Sequence, residues 1–365
     1  MYIDESTLEE FFCETEIVLS DYLDVQLNVI KDNTDKINAS IQVVPYNEYL
    51  ITLYSGLFYG IDNIVKKLLT RYDDENYLWF SKLAENNIVN FMNLTIDWNH
   101  IEEHEINKTY LNNLFTSLII QNIIFHETGH IMGEHLTEER EYYEFDARKV
   151  GNIEAQCKEM YADYVSARAL FNTLCNYYEE EFSRDVRFNW NDNQDVKKIL
   201  QHIFVVGFLT LYFQFNLNSN DSIISFNTIH PDKKVRLFYC LLSFRDDVIT
   251  WMKTEEVTEK NIFNIDDLFD KLFIDEMAIL IMSFLSLSDL EFTSIMTNEI
   301  VEHYFSLLDY SGEKTINGEV GFLSPIDETY KNSVKNFVER VSAPDPFGTE
   351  WYKEISNILD SNVDD

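Results

Sequence analysis

The spacing of apolar residues along the chain is mostly helical. Residues 9–27 place apolar positions at helical intervals among acids, which predicts an amphipathic helix. Residues 39–44, ASIQVV, form a short run ending before Pro45 and predict a strand. Helical spacing returns over residues 49–69. It closes near Lys66 and Lys67, charges that suit a helix C-terminus. It recurs over residues 75–91 and most strongly over 107–131. There LFTSLIIQNIIF is apolar on nearly every side, so burial all round is expected rather than a half-wet helix.

Residues 154–174 read as another helix, and 176–195 as a loop or insertion rich in acids, Asn and Trp190. A buried helix is expected over 196–216, then a polar turn and a short extended piece over 218–230. Pro231 is placed as the first residue of a helix reaching about Ser243. Two further helices are expected over 266–287 and 289–308. After Asp309 the sequence SGEKTINGEVGFLSP is turn-rich, APDPFG at 343–348 is a break, and 350–359 is a last short helix. No repeat of 20 to 50 residues is visible. The pattern predicts a mostly α fold, α+β only through a minor small sheet.

Composition narrows the function. The chain has 365 residues, 45% hydrophobic and 15% aromatic, enough to fill a large core. Its 28 Lys and Arg face 64 Asp and Glu, for a formal net charge of -36. Such a surface repels phosphate backbones, so nucleic acid is not an expected partner. Eight carboxylates precede the first basic residue, Lys31, which is unlike a secretory or transit leader. The apolar runs 203–217 and 277–287 are too short and too polar at their edges for a membrane span, so no stable insertion is expected. Cys13, Cys157, Cys175 and Cys240 form no C-x-x-C pair and read as reduced thiols, which points to the cytoplasm.

The chemistry concentrates in His126-Glu127-Thr128-Gly129-His130, an H-E-x-x-H sequence. Residues four apart share a helix face, so both imidazoles can meet one ion, and that pairing suits zinc. The glutamate between them is placed to take a proton from a zinc-activated water. Glu159-Met-Tyr-Ala-Asp163 repeats the i,i+4 logic within a second helical pattern. Glu159 can complete a His2Glu site, and Asp163, one turn on, can accept the free N–H of a ligand imidazole, His126, and fix its tautomer.

HETGH followed by EMYAD resembles the gluzincin arrangement of zinc metallopeptidases. It is similar to the HtpX-like metallopeptidases and to soluble relatives such as the bacteriophage-exclusion Lit peptidase. The stretch His230-Pro231 followed by Arg236 is similar to an H-P-x-x-x-x-R element of that group. The resemblance spans residues 115 to 245 and implies a zincin-like catalytic core with flanking helices. It implies one zinc ion on His126, His130 and Glu159, with Glu127 as general base. It gives His230 the role of oxyanion donor, and Arg236 that of holding the loop or a substrate carbonyl. The membrane segments of the HtpX-like enzymes are not evident. The aminopeptidase Gly-x-Met-Glu-Asn loop is absent too, which favours an endopeptidase. A phage-defence or stress role follows from the same likeness.

Competing motifs fit less well. Gly133 matches the metzincin glycine, but the third histidine falls at His135 instead of position 136, which is Leu136. His135 reads as a helix-end or pocket residue, with Gly133 ending the helix. His100 to His104 fits the inverted H-x-x-E-H sequence but has no apolar lead-in. Tyr142 and Tyr143 read as packing residues.

The organisation expected is an N-terminal, mostly helical region over 1–100 and a zincin-like core over 101–250. A helical extension over 251–309 and an irregular segment with a last short helix over 310–365 follow. The function expected is a zinc-dependent endopeptidase acting on a protein or peptide. Two other readings use the same sequence. One is a regulatory zincin-like domain that binds or cleaves one specific partner protein. The other is a non-enzymatic acidic decoy for a basic protein.

Overall fold

The computed structural model describes residues 5–45, 48–71, 104–136, 153–183, 193–217, 231–254 and 297–341. Residues 75–91, His100, Tyr142, Tyr143, 218–230 with His230, 266–287 and 343–359 lie outside them.

Helix α1 (Glu5–Leu23) leads into strand β1 (Gln26–Asp32). The helix expected over 9–27 stops early because Asp24 turns left-handed at φ 54° and Val25 N–H bonds back to the Ser20 carbonyl at 3.2 Å. A short polar residue tolerates that conformation. The strand expected at 39–44 is β2 (Ala39–Val44). Residues 49–69 are not one helix. They begin as β3 (Glu48–Tyr54) and become α2 (Ser55–Arg71) only afterwards. In the sheet β3 lies centrally, parallel to β1 and antiparallel to β2. Its Ile51 and Leu53 are fully buried, so the central strand shows no solvent-facing alternation that sequence could reveal.

The rest of the described chain is helical: α3 (His104–Met132), α4 (Ile153–Ser183), α5 (Asn193–Asn216), α6 (Lys233–Thr254), α7 (Asn298–Ile316) and α8 (Glu328–Val341). Helix α4 is central and packs on α3, α5, α6 and α7, while α3 also meets α2, α5 and β2. The all-round burial expected of α3 is met only in part: Phe115, Leu118, Ile119, Ile120, Ile123 and Ile124 are buried, while Leu114, Ser117, Gln121 and Phe125 line one half-buried face. Helix α4 runs past residue 174 to Ser183, so residues 176–183, expected as loop, are helical. Helix α6 starts at Lys233, two residues after Pro231, and reaches Thr254 instead of Ser243.

The C-terminal region departs most from expectation. Helix α7 begins at a Thr297 cap, whose hydroxyl accepts from Ile300 N–H, and continues through the turn-like SGEKTI to Ile316. Ser311 and Gly312 are buried within this helix, and Gly312 stands where a side chain would not fit. A Cβ on Gly312 would lie 2.8 Å from Pro325 Cα. Helix α8 is a further element inside the segment expected to be irregular. Among the described residues no helix is long and apolar enough to cross a membrane.

One contact positions the site. A Cβ on Gly129 would lie 2.7 Å from Ala162 Cα and 3.0 Å from its carbonyl oxygen. Helices α3 and α4 therefore touch backbone to backbone at the glycine of HETGH and the alanine of EMYAD. Gly129→Ala should cost about 1–3 kcal/mol, the range for inserting a methylene into a packed interior. The measurement is the urea midpoint of unfolding. An unchanged midpoint would mean that the helices need not approach so closely.

Candidate metal centre

The turn-by-turn geometry of α3 sets His126 and His130 on one face, their ring centroids 5.0 Å apart and nearly perpendicular. Helix α4, held against α3 at Gly129, presents Glu159 to both. Its Oε2 lies 3.4 Å from His126 Nε2 and its Oε1 3.6 Å from His130 Nε2. The three residues offer ligand atoms all within 4.8 Å of one another, and all three are buried. This is a candidate metal-binding site with the spacing of an H-E-x-x-H…E zincin sequence.

Each imidazole is oriented through its other nitrogen. His126 Nδ1 lies 2.7 Å from Asp163 Oδ1. Asp163 is wholly buried and shared further. Arg236, from the first turn of α6, donates Nε to Oδ2 and Nη2 to Oδ1, each at 2.7 Å. The Tyr239 hydroxyl donates to Oδ2 as well. Arg236 also lies 4.7 Å over the Phe215 ring, so α5 and α6 both help hold the guanidinium. His130 Nδ1 lies 2.9 Å from His135 Nδ1, and His135 Nε2 lies 2.9 Å from the Gly321 carbonyl oxygen.

The donor set fits a cation. Asp163 can only accept, so His126 Nδ1 carries a proton and its Nε2 turns a lone pair inward. Glu159 adds carboxylate oxygens. Such a group of acceptors, in a dry place, needs positive charge. In the metal-free protein a proton supplies it. Burial alone would push His126 down, but Asp163 and Glu159 outweigh it and hold the ring up at about 10. Burial drives His130 down to about 3 against the pull of Glu159, and drives His135 down to about 4. Burial also opposes charge on Asp163, yet the Arg236 guanidinium and the His126 ring keep its carboxyl well below the usual range.

The residues singled out from sequence thus fall into three groups. His126, His130 and Glu159 come together, with Asp163 behind His126. Arg236 is paired with Asp163, and Glu127 is half-buried on α3. His230 lies outside the described residues, just ahead of the buried Pro231. Cys157, near the sequence motif, turns its thiol to the Leu307 carbonyl of α7 at 3.3 Å. Sequence reading did not reach Tyr239, the pairing of His135 with His130, or the Gly321 carbonyl. Tyr239 lies three residues after Arg236 on the same helix face, a spacing that could have suggested it. A scan against protein-family models, a search of curated proteins and a search of solved structures each returned no match.

A pH signature follows. In metal-free protein, the His126 contribution is complete below its ordinary value of 6.5 and is lost as pH rises through about 10. The contributions of His130 and His135 have the opposite sign: they are present above 6.5 and lost as pH falls toward about 3 and 4. A cation that displaces the His126 proton removes the alkaline loss. Stabilisation by added zinc should therefore grow from pH 6.5 upward, with about one proton released per ion. Urea midpoints with zinc and with chelator, compared across pH, measure it. A zinc increment that does not change with pH would contradict the assignment of that proton.

Proposed function

We propose that the chain is a zinc-dependent endopeptidase that hydrolyses peptide bonds in a protein substrate. The observation that carries this reading is the buried convergence of His126, His130 and Glu159 on one point, with Glu127 a single residue from His126. His126, His130 and Glu159 would hold one zinc ion, a donor set that suits a hydrolytic zinc site of the gluzincin kind. When bound, zinc supplies Lewis acidity, which polarises a scissile carbonyl and makes water acidic.

The chain's own residues divide the remaining work. Glu127 takes a proton from the attacking water and returns it to the leaving amine. Asp163 keeps the proton of His126 on Nδ1, and so keeps Nε2 available. Arg236 and Tyr239 hold Asp163 in place; the guanidinium acts by positioning, since Nε and Nη2 both donate to that carboxylate. His230, by its likeness to the H-P-x-x-x-x-R element, is the residue assigned to the oxyanion. A protein substrate is favoured because amide hydrolysis needs both carbonyl polarisation and proton delivery to nitrogen. None of the four cysteines is in a disulfide, which supports a place in the cytoplasm.

Metal analysis beside cleavage profiling of a cell lysate tests this. Wild type and Glu127→Gln should each hold about one zinc, while His130→Ala should lose it. Only wild type should cut, Glu127→Gln falling by about 10²–10⁴-fold or more. One specific cleaved protein would mark a regulatory enzyme, and many would mark a general one. A wild-type protein without zinc would instead leave the acidic-decoy reading.

A second test concerns Asp163. Asp163→Asn should weaken zinc binding about 10–100-fold while Glu127 stays in place. Chelator competition measures the affinity, and an undiminished value would remove Asp163 from the site.

A further inference from the structure

We propose that His135 is a positioning residue, which together with the Gly321 carbonyl locks His130 in the tautomer protonated on Nδ1. This deepens the metal-site reading and rests on it for its consequence, though not for the tautomer itself.

The direction of the chain is set at its far end. A backbone carbonyl oxygen can only accept, so His135 Nε2, 2.9 Å from Gly321 O, is the donor there. A neutral His135 then carries its lone pair on Nδ1. That atom faces His130 Nδ1 at 2.9 Å, so His130 must supply the proton. His130 Nε2 is left with its lone pair, 3.6 Å from Glu159 Oε1. The outcome matches the one Asp163 imposes on His126, reached by a neutral route instead of an ionic one.

The surrounding chain is shaped for this ring. Helix α3 ends with Glu134 left-handed at φ 51°. Glu134 N–H bonds Ile131 O at 2.9 Å, and His135 N–H bonds His130 O at 3.0 Å. This paired closure folds residue 135 back onto residue 130. Two glycines then clear the space. A Cβ on Gly133 would fall 2.4 Å from His135 Nε2, and one on Gly321 would fall 2.3 Å from the same atom. Gly321 also has φ +78°, a conformation side chains rarely adopt.

The acceptor is fixed in turn. Leu323, two residues on, has its carbonyl bonded by the Thr315 hydroxyl at 2.9 Å, and its N–H donates to the Ser311 hydroxyl. Pro325 packs on Gly312, and Lys158 of α4 lies 6.0 Å from the Phe322 ring centroid. The turn between α7 and α8 therefore reaches His130 through one imidazole, that of His135, 186 positions before Gly321.

The test uses the full chain labelled with nitrogen-15 on histidine, in metal-free buffer near neutral pH. Long-range proton–nitrogen correlation reads the His130 tautomer, with His130→Gln identifying its signals. Wild type should show a pyridine-like Nε2 and a protonated Nδ1 on His130. His135→Leu fills the space without hydrogen bonds and should give mixed tautomers, with zinc binding weakened about 10–100-fold in chelator competition. His135→Gln carries one acceptor and one donor and should restore most of both.

A wild-type His130 protonated on Nε2 overturns the proposal, whether or not the variants fold. So does an unchanged tautomer in folded His135→Leu. A wild type with the expected tautomer but no zinc binding would support the positioning role and defeat the metal reading, so the two failures are distinguishable.

Discussion

Everything at the site depends on two backbones touching. Helices with ordinary side chains between them pack with axes about 8–10 Å apart, and this pair closes in because Gly129 meets Ala162 without an intervening side chain. The approach occurs one residue before His130 on one helix and one residue before Asp163 on the other, inside both i,i+4 pairs. Ligands spaced four apart then straddle the contact on both sides. The glycine at the fourth position of HETGH is thus a packing requirement, while the histidines and glutamate are the chemical ones. Stability and site geometry share a single point in the fold.

Burial gives the site its electrostatic character. Away from water, a carboxylate and two imidazole lone pairs directed at one another repel and call for positive charge. The fold creates that demand by settling both outer nitrogens. Asp163, itself held by Arg236 and Tyr239, takes the His126 proton side. His135 lies beside that of His130. The inner atoms are left as acceptors, and one positive charge satisfies them. A proton or a metal ion can fill that role, which ties metal binding to pH through His126.

The legible part of this arrangement was the part written in local spacing. H-E-x-x-H and E-x-x-x-D each declare a helix face, and the apolar lead-in from 107 declares burial, so the cluster could be foreseen without coordinates. The sheet was legible only at β2. Strand β3 runs into α2 with no polar break, and its buried central position removes the alternation that marks a half-exposed strand. Residues 309–316 look like a turn by composition, yet Ser311 and Gly312 serve close packing inside α7. The His135 pairing could not be found from sequence, because its meaning lies in a carbonyl 186 residues away. Gly133 does stand just past the end of α3. The left-handed residue is Glu134, however, and the glycine is there to admit a ring.

The most direct measurement is zinc X-ray absorption on the full chain loaded with one equivalent of the metal. The expected shell is two imidazole nitrogens with carboxylate and water oxygens at about 2.0–2.2 Å, and no sulfur. The histidine signature should vanish with the bound zinc in His130→Ala and keep its full strength in Glu127→Gln. A thiolate shell, or a histidine signal unmoved by the His130 substitution, would contradict this ligand set.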